Sequence, residues 1–213
     1  METPVVSYGP KGPPSCWPAG SNVYTWSGTV GSRNYPLDLQ ADVSPANRVP
    51  AVWNVPSPAS LVRLTNNAAT VKAQIAALTA SDETYIAPGV LWAWRTLSPN
   101  LPFSDGAAYG AGTKKIMILM TDGANTHSPN YPDHEATNVA DANDITKKTC
   151  LNAKALGIVI YTIAFQVSDA TIKGILQNCA SAPVNYYDAT SNAAMLAAFK
   201  EIANNLTQLR VSK

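Results

Sequence analysis

The chain has few charged residues and no excess of either sign. Asp, Glu, Lys and Arg make up 14% of its 213 residues, and the formal net charge is +1. A net charge this close to zero gives no electrostatic argument for binding to nucleic acid or to an anionic membrane surface. We therefore expect no nucleic-acid partner.

Long hydrophobic runs are also absent. No apolar stretch approaches the roughly 20 residues that a helix needs to cross a bilayer. The first residues, METPVVSYGPKGPP, have neither the basic start nor the apolar core of a secretion signal. The sequence therefore predicts no transmembrane segment and no export signal in this chain.

Cysteine is scarce, and its spacing does not fit a zinc site. The three cysteines are Cys16, Cys150 and Cys179, so at least one has no partner within the chain. Cys150 and Cys179 lie on predicted helices that flank one predicted strand. A disulfide between them, stabilising the fold by roughly 3–4 kcal/mol, and a pair of half-buried free thiols are both open at this point.

Proline is concentrated at the start of the chain. Residues 1–60 hold most of the 16 prolines, which excludes long helices and central strands there. The segment also has five large aromatic residues: Trp17, Tyr24, Trp26, Tyr35 and Trp53. We expect it to be irregular but ordered, with its rings packed on the rest of the protein and at most a short strand pair near residues 22–30.

Residues 61–213 show regular periodicity. The apolar run at 115–120 reads as a strand buried on both faces, and the run at 158–165 reads as a second buried strand. NYYDA at 185–189 reads as a short edge strand, a polar loop covers 130–133, and helical patterns lie between the strands. Gly157 follows the helix before the second strand, where glycine often ends a helix. This alternation predicts an α/β, Rossmann-like, mostly parallel sheet flanked by helices.

Two helices are predicted to bury an apolar stripe. The first helix, with Thr65 or Asn66 as its cap, places Val71, Ile75 and Leu78 at helical spacing. The last helix carries five apolar residues on one side: Met195, Leu196, Phe199, Ile202 and Leu206.

Asp122 and Thr84 are the candidate site residues. Asp122 follows the strand at 115–120, and ligands of open α/β sheets bind beyond the carboxyl ends of strands. Thr84 precedes a helix. Their alternative roles are structural: Asp122 bonding its own backbone in a turn with Gly123 at positive φ, and Thr84 capping the helix. Hydroxyl and carboxylate oxygens suit a hard cation such as Mg²⁺, which would need at least one more ligand.

The other polar residues of the sequence do not indicate a zinc site or a catalytic site. A loop contains His127, Asp133, His134 and Glu135, but without the spacing of a helical zinc motif, so we interpret them as solvated loop residues. No serine occupies a Gly-x-Ser-x-Gly elbow, and no nucleophile can be paired with a base. We expect a protein that is not an enzyme.

Six stretches together resemble the von Willebrand factor type A domain, in particular that of TadG-like proteins of the tight-adherence (Flp) pilus-assembly system. They are TYIAPGVLWAWRTLSP, KKIMILMTDGAN, GIVIYTIAF, LQNCAS, YYDAT and AAFKEIANNLTQLRVS. The proline-rich YTWSGTVGSRNYPLDLQADVSP resembles the insert of those proteins. The resemblance implies that residues 1–60 are the family's insert and that residues 61–213 are a partial von Willebrand factor A-like domain.

The resemblance implies a metal-ion-dependent adhesion site with Thr84 and Asp122 as ligands. It also implies an Asp-x-Ser-x-Ser motif after the first strand, which is missing here. The nearest text, DVSPA at 42–46, lacks the last serine and lies in the insert, so we interpret it as a loop. We expect a fragment without the family's first strand, with an incomplete cation site and unpaired backbone groups on the neighbouring strand.

The implied function is protein binding. The resemblance implies a pilus-assembly or surface component as partner, an extracytoplasmic location in the periplasm or cell envelope, and Mg²⁺ or another divalent cation. The alternative is a metal-free structural scaffold, or a truncated fragment without binding activity of its own.

Overall fold

The computed structural model describes residues 29–52, 60–79, 83–110, 112–131 and 133–211. Trp17, Tyr24, Trp26, Trp53 and the third cysteine, Cys16, lie outside these residues. The expectation that those four rings pack on the rest of the protein therefore stays a prediction.

The elements alternate along the chain. The helices are α1 (Ala68–Ala76), α2 (Ile86–Leu97), α3 (Val139–Ala155), α4 (Ala170–Cys179) and α5 (Asn192–Val211). The strands are β1 (Ile116–Thr121), β2 (Ser128–Asn130), β3 (Asp133–Ala136), β4 (Val159–Phe165) and β5 (Tyr186–Ala189). Short 3-10 turns occupy Leu37–Leu39 and Pro183–Asn185.

The main sheet is parallel, with strand order β1-β4-β5. Ile116 lies opposite Val159, and Thr162 lies opposite Tyr186. The predicted α/β, Rossmann-like arrangement is confirmed. Gly157, at φ 80°, follows the end of α3 as expected, because this left-handed conformation strains any residue with a Cβ atom.

A second, two-stranded sheet corrects the prediction of a loop over residues 130–133. β2 and β3 pair antiparallel there, with Asn130 opposite Asp133. The pairing is only a few residues long and contains a register shift. Such a short polar hairpin has too little apolar alternation to be recognised from the sequence.

The hydrophobic core lies on both faces of the main sheet. On one face, Met117 and Ile160 pack against α2, α3 and α4. On the other face, Tyr161 and Ile163 pack against α5 around Ile202. A disulfide joins Cys150 of α3 to Cys179 of α4 within the first of these clusters.

The apolar stripe predicted for α1 is not buried. Val71, Ile75 and Leu78 are all exposed, and α1 buries none of its residues. Its cap is Asn67, whose side chain accepts bonds from the backbone N–H groups of the first turn, rather than Thr65 or Asn66. The Thr65 hydroxyl instead accepts a bond from the Asn67 N–H, 3.1 Å away.

The predicted stripe of α5 is buried only in part. Ile202 is fully buried, and Met195 and Leu206 pack beside it. Leu196 is 57% exposed and Phe199 is 37% exposed. The surface that β4 and β5 offer to the helix is narrower than the predicted stripe.

Residues 29–52 form a strap held to the body through both side chains and backbone carbonyls. Arg95 Nε of α2 donates to Ala41 O over 3.1 Å, and Asn152 Nδ2 of α3 donates to Leu39 O over 3.1 Å. The strap is irregular, and residues 1–28 and 53–59 of the predicted segment lie outside the described residues. Its aromatic residue Tyr35, however, is 58% exposed, which contradicts the expectation that this ring is packed away.

Candidate functional site

Asp122 lies at the carboxyl end of β1 with an exposed side chain. The turn after the strand is closed by Thr121, whose Oγ1 accepts a bond from the Gly123 N–H at 3.3 Å and donates to Gly123 O at 3.0 Å. Gly123 is not among the residues with positive φ. The turn forms without the Asp122 carboxylate, which has no hydrogen bond or ion pair to any residue that the structure describes.

Thr84 lies on the loop before α2, and its backbone fastens this loop to the one after β1. Thr84 O accepts bonds from the N–H groups of Thr126 at 2.8 Å and His127 at 3.0 Å. The Thr84 N–H donates to Thr126 Oγ1 at 2.8 Å. The loops that carry Thr84 and Asp122 are therefore joined side by side.

The helix beginning at Ile86 is capped by a residue that the sequence analysis overlooked. Asn125 Oδ1 accepts a bond of 2.7 Å from the Ile86 N–H, and Asn125 Nδ2 donates to Asn143 Oδ1 over 2.9 Å. The residue at the cap position itself, Tyr85, makes no side-chain cap bond. The Thr84 hydroxyl is thus not used as a cap and has no hydrogen-bond partner within the described ranges.

The sequence signal for Asn125 is its position, three residues after Asp122 and just beyond a strand. In the structure its side chain is 2% exposed, which is unusual for an amide. A polar residue just beyond a buried strand can satisfy the backbone of a neighbouring loop. Which loop lies within reach depends on the fold, so the sequence could not identify the partner.

The donor types at this edge fit a hard cation, but their number falls short. Thr84 and Asp122 offer a hydroxyl and a carboxylate, the oxygen ligands that Mg²⁺ accepts alongside water. Within the described part of the chain, no three His, Cys, Asp or Glu residues are grouped so that they could hold a metal ion. The two residues would supply part of a coordination shell, and the rest would have to come from elsewhere.

Residues 42–46 lie away from this site. The Asp42 carboxylate accepts bonds from Ser98 Oγ at 2.9 Å and Asn100 Nδ2 at 2.7 Å. Both partners follow the end of α2, where Lys115 Nζ, just before β1, donates to Leu97 O over 2.5 Å. Asp42 therefore lies near the amino end of β1, opposite Asp122, and serves as a loop anchor.

The polar residues around the β2–β3 hairpin do not assemble into a zinc site. His134 Nε2 lies 2.7 Å from Ser32 Oγ of the strap, and its ring packs edge-on against Tyr85. Burial lowers the pKa of His134 below its ordinary value. His127 Nδ1 lies 3.9 Å from a carboxylate oxygen of Glu83. The hairpin anchors the strap.

Comparisons with known proteins find similarity in fold. No family model matches the chain, and no curated protein matches it. Two crystal structures of the pilus adhesin SpaC from Lactobacillus rhamnosus GG, one in an open conformation, are similar over 68% of this chain. Their identities are 22% and 20%, with TM-scores of 0.53 and 0.52. The match covers 22% of the adhesin, so the likeness concerns one part of a much longer protein.

No helix in the described ranges is long and apolar enough to cross a membrane.

Proposed function

We propose that this chain is a non-enzymatic protein-binding module of the von Willebrand factor type A kind, acting in a pilus-associated assembly and related to TadG-like proteins. The observation that carries the proposal is the state of Thr84 and Asp122. Their loops are joined by hydrogen bonds through Thr126 and His127, yet neither side-chain oxygen is used by the fold. Unpaired oxygens at the carboxyl edge of a parallel sheet are where a ligand would bind.

The module would bind its partner through a divalent cation. Thr84 and Asp122 would hold the cation, and a carboxylate of the partner would complete the coordination, as the resemblance implies. Because Mg²⁺ keeps several waters, a shell with few protein ligands is compatible with its chemistry. The expected partner is another pilus-assembly or surface protein.

Two observations support an extracytoplasmic location. The buried disulfide between Cys150 and Cys179 is of the kind that persists in oxidising compartments. The fold is also similar to part of a pilus adhesin. The periplasm or cell envelope is therefore the proposed compartment.

Calorimetric titration of the purified chain with Mg²⁺ and Mn²⁺ tests the proposal. We expect weak, saturable binding that Thr84→Val and Asp122→Asn each abolish. Asp144→Asn is the matched control, because Asp144 is an exposed carboxylate paired only with Lys148 on α3. Circular dichroism of each variant checks that the fold is retained.

The second candidate is a metal-free scaffold, favoured by the lack of a three-residue metal cluster in the described chain. Absence of binding by a folded chain at millimolar cation would support it and overturn the cation-dependent module. Binding that survives both substitutions would show that other residues hold the ion, and would also refute the proposed site.

A further inference from the structure

Arg33 of the strap is a buried cation without an anionic partner. It is 4% exposed, and it forms no ion pair with any residue that the structure describes. Its terminal nitrogens donate to the backbone carbonyls of Gln40, Asp42 and Asn47. Its Nε is buried and has no hydrogen-bond partner in the described ranges. Because a buried arginine is normally paired with an opposite charge, Arg33 is an exception.

The nearest acidic residues compensate this charge only in part. The Asp42 carboxylate accepts a hydrogen bond from Ser98, and the Asp38 carboxylate accepts one from Tyr131. Burial lowers the pKa of Arg33 below its ordinary value, although the fields of Asp38 and Asp42 oppose this effect. The guanidinium of Arg33 is therefore short of negative charge.

A cavity of about 270 Å³ adjoins Arg33. A second guanidinium lines it, that of Arg48, which is exposed and makes no hydrogen bond or ion pair within the described part of the chain. Amide and apolar side chains make up most of the remaining lining: Asn34, Asn47, Leu37 and Pro50. No carboxylate is among the lining residues. The cavity thus has two positive charges and no negative charge of its own.

The size and lining of the cavity indicate what it would hold. It is slightly smaller than the roughly 300–1,000 Å³ sites that enclose drug-sized ligands, so it fits a small molecule or one end of a longer one. Guanidinium groups bind carboxylates through two parallel N–H bonds. The apolar lining suits the carbon chain that carries a carboxylate, whereas an inorganic anion would leave this lining unused.

We propose that this cavity binds a carboxylate attached to a small apolar group, belonging either to a polypeptide or to a free organic acid. Arg48 binds the carboxylate from the exposed side, and Arg33 supplies a fixed positive charge from the buried side. The cavity belongs to the strap and uses neither Thr84 nor Asp122. It needs no cation, so it is independent of the proposed metal site.

Nuclear magnetic resonance of the arginine side chains tests the site. The Nε–H signal of Arg33 is assigned from its absence in Arg33→Lys, because lysine has no Nε. The probes are acetate and acetylalanine, with acetylalanine amide as the uncharged match, all in the presence of EDTA. We expect the two acids to shift this signal saturably at millimolar concentration and the amide to leave it unchanged.

Arg48→Met tests the contribution of the second guanidinium, because Arg48 bonds to no described residue and its loss should leave the strap in place. We expect this variant to bind acetylalanine about tenfold more weakly. Lys72→Met is the matched control, because it removes the same charge from an exposed position on α1. It should bind acetylalanine as the unmodified protein does.

Two short peptides distinguish the sources of the carboxylate. One ends in a free carboxylate, and the other is amidated and has a glutamate at its centre. A peptide that binds more tightly than acetylalanine would support a polypeptide partner and would show which of its carboxylates is bound. Weaker binding of both peptides would support a free organic acid.

Three results would overturn the inference. No shift of the Arg33 signal with either acid would show that Arg33 is compensated within the chain, as through Asp38, whose Oδ1 also lacks a partner among the described residues. Sulfate binding as tightly as acetylalanine would show an unselective anion site. An unchanged affinity in Arg48→Met would show that the carboxylate binds elsewhere.

Discussion

The side-chain carbonyl of Asn125 accepts a hydrogen bond of 2.7 Å from the backbone N–H of Ile86, 39 residues earlier in the chain. This bond caps α2 from a different loop and sets the distance between the loops that carry Thr84 and Asp122. The candidate site therefore depends on a residue that contributes no ligand.

Asn125→Ala should lower both stability and cation affinity. Loss of a buried cap leaves the Ile86 N–H without a partner, which costs about 1–2 kcal/mol of unfolding free energy. Urea denaturation measures this cost, and calorimetry measures Mg²⁺ affinity. Asn204→Ala, at an exposed position of α5, is the control and should change neither. Equal stability of the two variants would contradict the capping role.

Removal of the disulfide should destabilise the protein substantially. Cys150 and Cys179 close a loop over a sequence separation of 29, and the chain-entropy model gives about 3–4 kcal/mol for a loop of this size. The double variant Cys150→Ala/Cys179→Ala should show this loss in a denaturant titration. Cys16→Ser is the matched control. A reducing agent should lower the stability of the control to a similar level and leave the double variant unchanged.

Acid should destabilise the strap through His134. Burial lowers the pKa of this imidazole in the folded state, with a smaller opposing effect from Asp133. The unfolded chain takes up the proton near its ordinary pKa of about 6.5. The unfolded state thus binds more protons, so the contribution of His134 is complete above about pH 6.5 and is lost as pH falls through the lowered folded value.

The pH effect can be assigned by substitution. We expect His134→Gln to flatten the stability profile between about pH 7 and pH 5, measured by denaturation at several pH values. A slope that is unchanged in His134→Gln would show that another group controls it.

Arg95 should control the attachment of the strap. Its Nε donates to Ala41 O, and its guanidinium lies 4.3 Å from the centre of the Trp92 ring. Arg95→Met fills similar space but leaves the buried Ala41 carbonyl unpaired, at a cost of about 1–3 kcal/mol. We expect faster hydrogen exchange and proteolysis within residues 29–52. Arg48→Met, an exposed change in the same strap, should have little effect, and similar rates in the two variants would refute this role.

The apolar residues predicted to be buried but found exposed have one physical cause. Val71 and Ile75 have helical periodicity, and α1 is a helix, but no described element packs on that face. Periodicity specifies which residues share a face, whereas burial requires a partner element at the correct distance. The lack of a packing partner also explains why Leu196 and Phe199 of α5 are exposed. It applies equally to Ile118 and Met120 of β1.

The sequence by itself determined the alternation of strands and helices, because hydrophobic period and turn residues are local properties. It determined that Asp122 lies beyond the end of a strand, and it located Thr84 just before a helix. The prediction that this strand is buried on both faces is wrong, because Ile118 and Met120 are exposed on the side that α5 does not cover. Only the tertiary structure decided that Thr121 rather than Asp122 closes the turn, and that Asn125 rather than Thr84 caps α2. It also decided that Cys150 and Cys179 are bonded. The cap of α2 and the disulfide join residues far apart in the chain, which come within bonding distance only when the helices pack on the sheet.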